Sequence, residues 1–176
     1  MAGAPDWAAE VPEQLDWHWR TQLRPRLDGL TDDEYLWEPV VGAWSVREVD
    51  GRGQLDWAWP EPSPPPVTTI AWRIAHVTIG CFEIRCATHF GGPAASWGDL
   101  DFPLRADEGV ARLDAAYARW RDAVMSLGPD GMARPCGRPN EPYPDAPLGL
   151  LVLHINREVI HHGAEIALLR DLYARR

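Results

Sequence analysis

The sequence of 176 residues contains no lysine, so all 17 of its basic residues are arginine. Schiff-base catalysis and the lysine of phosphate-cradling P-loops are thereby excluded. Cysteine is scarce: Cys81, Cys86 and Cys136 are an odd number without CxxC spacing. No disulfide is expected, and the pattern suits a reducing compartment. No apolar stretch approaches the roughly 18 residues that span a bilayer. The opening MAGAPDWAAEVPEQ is acidic and polar, where a signal peptide is basic and then apolar. These absences point to a cytoplasmic protein with no membrane partner. Positive charge is also short: the formal charge is -9 and the arginines form no run, which disfavours nucleic acid as a partner.

What is present is globular. Hydrophobic residues make up 45% and charged residues 24% of the chain, proportions that exclude disorder or a fibrous repeat and fit one domain over residues 1–176. Ten tryptophans are a heavy load. Each combines a large apolar body with an indole donor, so some of these rings should line a pocket or an interface.

From Pro12 to Leu27, the residues Leu15, Trp19, Leu23 and Leu27 recur at four-residue spacing, which predicts an amphipathic helix 1 ending near Gly29. In LTDDEYLWEP, Thr31 and Glu34 make a capping box for a short helical turn that Pro39 stops. The stretch from Trp44 to Trp59 carries turn chemistry at Asp50-Gly51, with Gly53 close behind, and predicts a two-stranded ribbon. Residues 60–66, PEPSPPP, form a stiff extended connector. Thr68 or Thr69 then caps helix 2, which runs to the Gly91-Gly92 stop. A loop from Gly91 to Pro103 precedes helix 3, with Val110, Leu113, Tyr117, Trp120 and Val124 on one face and a stop at Gly128-Pro129. A long irregular loop containing Pro135, Pro139, Pro142 and Pro144 leads to helix 4, from about Pro147 to Tyr173. Helix 4 is apolar on nearly every side but one and is expected to be buried. The predicted class is all-α, a four-helix bundle with a small β-hairpin inserted between helices 1 and 2.

The chemistry concentrates in HINREVIHHGAE. At about 100° per residue, His154, Glu158, His161, His162 and Glu165 fall on one face of helix 4. Such a stripe is costly to bury unless something satisfies it, and a metal ion would. Glu158 and His162, one turn apart, can converge on one ion, and His76, flanked by apolar residues on helix 2, can supply a third ligand. Two imidazoles and one carboxylate leave a coordination position open, as catalytic sites do. The plainer alternatives are a hydrogen-bonded core histidine at His76 and salt-bridge stitching along helix 4. His154 or His161 can also replace a chosen ligand. Cys81 and Cys86 lie on different faces of helix 2 and read as core residues. Glu83 reads as an ion pair with an arginine before it reads as a ligand-orienting group.

LTDDEYLWEPV followed by GAWSVRE, the helix TTIAWRIAHVTIG and the terminal HINREVIHHGAEIALLRDLY together resemble the DinB-like superfamily, which includes the mycothiol-dependent maleylpyruvate isomerases. The resemblance spans nearly the whole chain. It implies a four-helix bundle binding a divalent metal, commonly zinc or nickel, through His76, Glu158 and His162. Glu158 stands where many members have a histidine, which is similar to the isomerase branch. The hairpin and proline connector separate Trp44-Ser45 from His76 more widely than the family pattern does. The implied function is a metal-dependent transferase or isomerase that lowers the pKa of a low-molecular-weight thiol such as mycothiol and directs it at a small electrophilic substrate. His161 or His154 would act as general acid or base. The alternatives are a hydrolase using the same site and a non-catalytic metal or small-ligand binder of the stress-response kind. The apolar helix 4 and the tryptophans lead us to expect a homodimer.

Overall fold

The computed structural model describes residues 3, 5–97, 101–137 and 144–176. The first apolar stripe folds into a helical run over residues 7–27. In it, α1 (Trp7–His18) passes into a π-helical stretch (Trp19–Leu23) and then a 3-10 turn (Arg24–Leu27). Leu15, Trp19, Leu23 and Leu27 are all buried, as their spacing predicts. The helix starts at Trp7 rather than Pro12, because the Asp6 carboxylate accepts the Ala8 N–H and supplies the cap. The turn α2 (Asp32–Tyr35) is capped by the Thr31 hydroxyl, which accepts the Glu34 N–H at 3.3 Å.

The predicted ribbon is β1 (Val46–Val49) paired antiparallel with β2 (Arg52–Leu55), with Val46 opposite Leu55 and Val49 opposite Arg52. Asp50 and Gly51 turn it with φ of 52° and 76°, the positive values that a two-residue hairpin demands. The ribbon is fastened at both ends. Trp44 bridges Thr68 beside the start of the second long helix, and the Gly53 carbonyl accepts the Phe102 N–H at 2.8 Å. A Cβ at Gly53 would lie 1.8 Å from the Phe102 carbonyl oxygen, so this seam admits no side chain.

The second long helix covers residues 70–90 as α3 (Ile70–His76), a π-helical stretch (Val77–Glu83) and α4 (Ile84–Phe90). Thr69 caps it and left-handed Gly91 ends it, both at the expected places. Next come α5 (Ala106–Met125), α6 (Gly128–Ala133) and α7 (Leu148–Tyr173). Helix 3 stops at Met125, just before left-handed Gly128, close to where Gly128-Pro129 was expected to end it, and the same pair also opens α6. A proline in the first turn lacks only an N–H that the first turn leaves unpaired anyway. The long loop is therefore helical in its first part; its Pro139 and Pro142, like residues 98–100 of the earlier loop, lie outside the described residues.

Four helical runs make the bundle. The run 7–27 packs between α7 and α5, and the run 70–90 packs between the same two helices, so the four stand at the corners of a square. Trp19 stacks on Tyr117 with centroids 3.9 Å apart, and Phe82 meets Tyr117 edge-on at 5.7 Å. Trp120, Tyr35, Phe82 and Phe102 are fully enclosed, each contributing on the order of 2 kcal/mol of apolar burial. Helix α7 keeps its expected bounds but is not buried all round. A corner helix presents only part of its circumference to its neighbours, and Leu150, Leu153, Leu168 and Leu172 are exposed. Leu150 and Leu153 line an open apolar groove of about 600 Å³ with Trp7, Val11 and Met132. No helix among the described residues is long and apolar enough to cross a membrane.

Candidate metal centre

Contact between α3 and α7 brings the histidine-rich stripe against His76. The His76 and His162 rings meet edge to face with centroids 4.8 Å apart. His162 is buried, and its two nitrogens have different surroundings. Nδ1 is 2.7 Å from Glu165 Oε2, a short charge-assisted bond that places the proton on Nδ1. In the neutral ring Nε2 then carries the lone pair; it lies 3.6 Å from Glu158 Oε2, too far for a hydrogen bond. Two acceptors facing each other at this separation repel unless a cation lies between them. About 3.4 Å is the edge of a tetrahedron whose metal–ligand bonds are about 2.1 Å.

His76 has the same unfinished character. Its Nδ1 is enclosed and has no hydrogen-bond partner among the described residues, a condition that costs on the order of 1–3 kcal/mol if nothing fills it. Burial, reinforced by His162 and the Arg73 guanidinium, pushes its pKa down to about 3, against the opposing pull of Glu165. The imidazole therefore stays neutral at physiological pH, the form in which it can donate to a metal. The orphaned nitrogen and the neutral ring suit His76 to donate to a cation.

Glu165, on the expected polar face, is held in turn by Arg73, whose Nε is 3.0 Å from Glu165 Oε2. Burial raises the Glu165 pKa, but the His162 hydrogen bond and the Arg73 charge outweigh it and leave the pKa below its ordinary value of 4.5. A carboxylate that fixes the tautomer of a ligating histidine is a common outer partner of metal sites. Among the described residues, the donor atoms gathered within 4.8 Å of one another, close enough to hold a metal ion, are those of His161, His162 and Glu165; His76, Glu158 and His162 are not gathered that closely. His161 is largely exposed, with Nε2 3.5 Å from Glu165 Oε1. His154 lies one turn before Glu158, with Nδ1 3.6 Å from Glu158 Oε1 and 2.6 Å from an Arg157 nitrogen.

Aromatic rings wall this centre. Trp72 stacks on His76 at 5.0 Å and 10°, and Trp97 stacks on it at 5.7 Å and 28°. Trp57 stacks on Trp97 at 5.6 Å, and Trp44 touches both Trp57 and Trp72, so His76 and four indoles form a closed circuit. Sequence reasoning assigned no role to Arg73, Glu165 or these particular tryptophans. Trp72 was within its reach, because it stands one turn before His76 on the same helix face. Trp57 and Trp97 come from the hairpin's exit and a loop, where no periodicity operates.

The remaining candidates are structural. Glu83 accepts from Arg112 Nε at 2.9 Å and from a terminal nitrogen at 2.8 Å, the expected ion pair. Cys81, Cys86 and Cys136 are buried and form no disulfide. Burial pushes the thiols of Cys81 and Cys86 up to about 12 and about 11, far from thiolate chemistry.

The site thus belongs to a helical bundle that gathers imidazoles and carboxylates between facing helices. The family model of the DinB superfamily matches residues 52–166, well over half the chain, and the protein belongs to that superfamily. No curated protein and no solved structure matches it.

Proposed function

We propose that the protein is a metal-dependent thiol enzyme, a transferase or isomerase acting on a small electrophile. His76, Glu158 and His162 would hold the ion. The observation that carries this reading is His162 itself, with Nδ1 held by Glu165 while Nε2 faces Glu158 Oε2 at 3.6 Å beside the His76 ring. A divalent cation at such a site, zinc or nickel, lowers the pKa of a low-molecular-weight thiol bound to it. The chain's own part is to orient and to exclude. Glu165 and Arg73 fix the His162 ring, the indoles keep water from the His76 side, and exposed His161 stands where it can exchange a proton with a bound substrate. His154 is the second candidate for that role. The homodimer belongs to the same proposal, with the exposed leucines of α7 as the surface it would use.

The test is metal content per chain in the wild type beside His76→Ala and Glu158→Ala variants, followed by metal-dependent consumption of a thiol with an electrophile. We expect about one ion per chain in the wild type and a loss of at least a hundredfold in affinity in either variant. Metal retained by both variants, or a loaded protein that consumes no thiol, would overturn the proposal.

A further inference from the structure

The indole of Trp97 occupies a socket rather than a core position. Gly80, in the middle of the π-helical stretch, stands against its benzo edge, and a Cβ there would lie 2.8 Å from Trp97 Cζ2. Glycine inside a helix costs about 1 kcal/mol relative to alanine, and here its bare backbone leaves room for the edge of a ring. The His76 and Trp57 rings stack on the same indole, inclined to it by 28° and 19°. The tether, by contrast, is slight. Trp97 is 42% exposed, and it follows a stretch from Gly91 that contains neither helix nor strand. No hydrogen bond to its indole N–H is found among the described residues.

We infer that this socket, formed by Gly80, His76 and Trp57, receives the planar conjugated part of the protein's substrate, and that Trp97 is the ring the substrate displaces. The inference rests on reading the His76–His162 centre as the reaction site but not on its metal. Stacking and a flush glycine recognise flatness and thickness rather than any one functional group, so the ligand class is a conjugated or aromatic ring. The socket lies directly against the His76 imidazole, which places such a ring beside the centre. Because Trp97 competes for the space, the apparent affinity of a free ring is reduced by the fraction of molecules in which the socket is filled.

The probe is indole, the side chain of Trp97 as a free molecule, which offers no metal-ligating lone pair. Binding is measured by calorimetry on the full-length protein, with metal content determined on the same samples. Trp97→Ala should bind indole at least tenfold more tightly than the wild type. Adding Gly80→Ala to that variant should abolish the gain, because the new Cβ enters the space the ring needs. Hydrindane, the saturated, thicker and uncharged bicycle of the same size, should bind at least tenfold more weakly than indole. The melting temperature of each variant shows that it is folded, and alanine in a helix favours folding. A Trp97→Ala protein that binds no better than the wild type, a Gly80→Ala change without effect, or equal binding of the saturated ring would each overturn the inference. Indole binding in a protein that takes up no metal would leave the socket standing while the metal reading fell; metal uptake without indole binding would do the reverse.

Discussion

Of two polar clusters buried between helices of this bundle, one is closed and the other is not. At the seam of α1 and α5, buried Asp16 accepts the Tyr117 hydroxyl and Arg121 Nε on one oxygen and Arg20 Nε on the other, each at 2.7 Å. Burial alone would raise its pKa, but these bonds win and hold it below its ordinary 3.8. At the seam of α3 and α7, His76 Nδ1 has no partner among the described residues and His162 Nε2 lies 3.6 Å from a Glu158 oxygen, beyond hydrogen-bond distance. Both clusters bury polar groups between packed helices. The first satisfies its lone pairs and protons within the protein, as a cluster that only joins helices must. The second leaves open the nitrogens suited to coordination, and that incompleteness is what marks it as a site for something else.

The largest effect should come from breaking the closed cluster. Asp16→Ala leaves the Tyr117 hydroxyl buried without its acceptor and frees two arginines that are 56% and 40% exposed and can turn to water. The expected cost is about 3 kcal/mol in denaturant unfolding, with metal content per chain unchanged. The pH dependence has a definite sign. A carboxylate depressed in the folded state contributes stability above its unfolded pKa of about 3.9 and loses it as pH falls through the lower folded value. The wild type should therefore lose stability more steeply below about pH 4 than an Asp16→Asn variant. A variant that folds normally but sheds its metal would merge the two clusters and defeat the comparison.

The open cluster should answer in affinity rather than stability. Glu165→Gln keeps an acceptor for His162 Nδ1 but removes the charge that secures the tautomer. Metal affinity should fall by about 10- to 100-fold, with unfolding changed by no more than about 1 kcal/mol. The same titration separates the two donor sets that share His162. If Glu158→Ala keeps the metal and Glu165→Ala loses it, the ligands are His161, His162 and Glu165.

How much of this was visible in the chain follows from which forces are local. The stripe Leu15, Trp19, Leu23, Leu27 and the caps at Thr31, Thr69 and Gly91 are written in spacings of four residues or fewer, and the helices they specify formed. Helical period likewise put His154, Glu158, His161, His162 and Glu165 on one face of α7, and contacts among them follow. Period cannot say which of two nitrogens is held and which is free, because the Arg73–Glu165–His162 chain depends on how α3 meets α7. Nor can it place Trp97 on Gly80, a contact between a loop residue and a helix backbone. The Gly128-Pro129 pair is legible only in part for a related reason: the same two residues can end one helix and begin another, and only the continuing chain decides.

The smallest effect tests whether the closed cluster is redundant. Arg20 lies 2.7 Å from Asp16 and 3.1 Å from Glu13, but more than half of its side chain is in solvent. An ion pair half in solvent contributes little: water can take the place of Arg20 on the Asp16 oxygen it serves, while the Tyr117 and Arg121 donors stay on the other. Arg20→Ala should cost about 0.5 kcal/mol or less, and that loss should shrink further in high salt as screening weakens the pair. In the open cluster His162 Nδ1 has Glu165 Oε2 at 2.7 Å as its close partner, with Arg73 Nη1 farther off at 3.4 Å. A cost near that of Asp16→Ala would show that the three donors act as one unit, and the contrast would then rest on cooperativity rather than on how many bonds each cluster has filled.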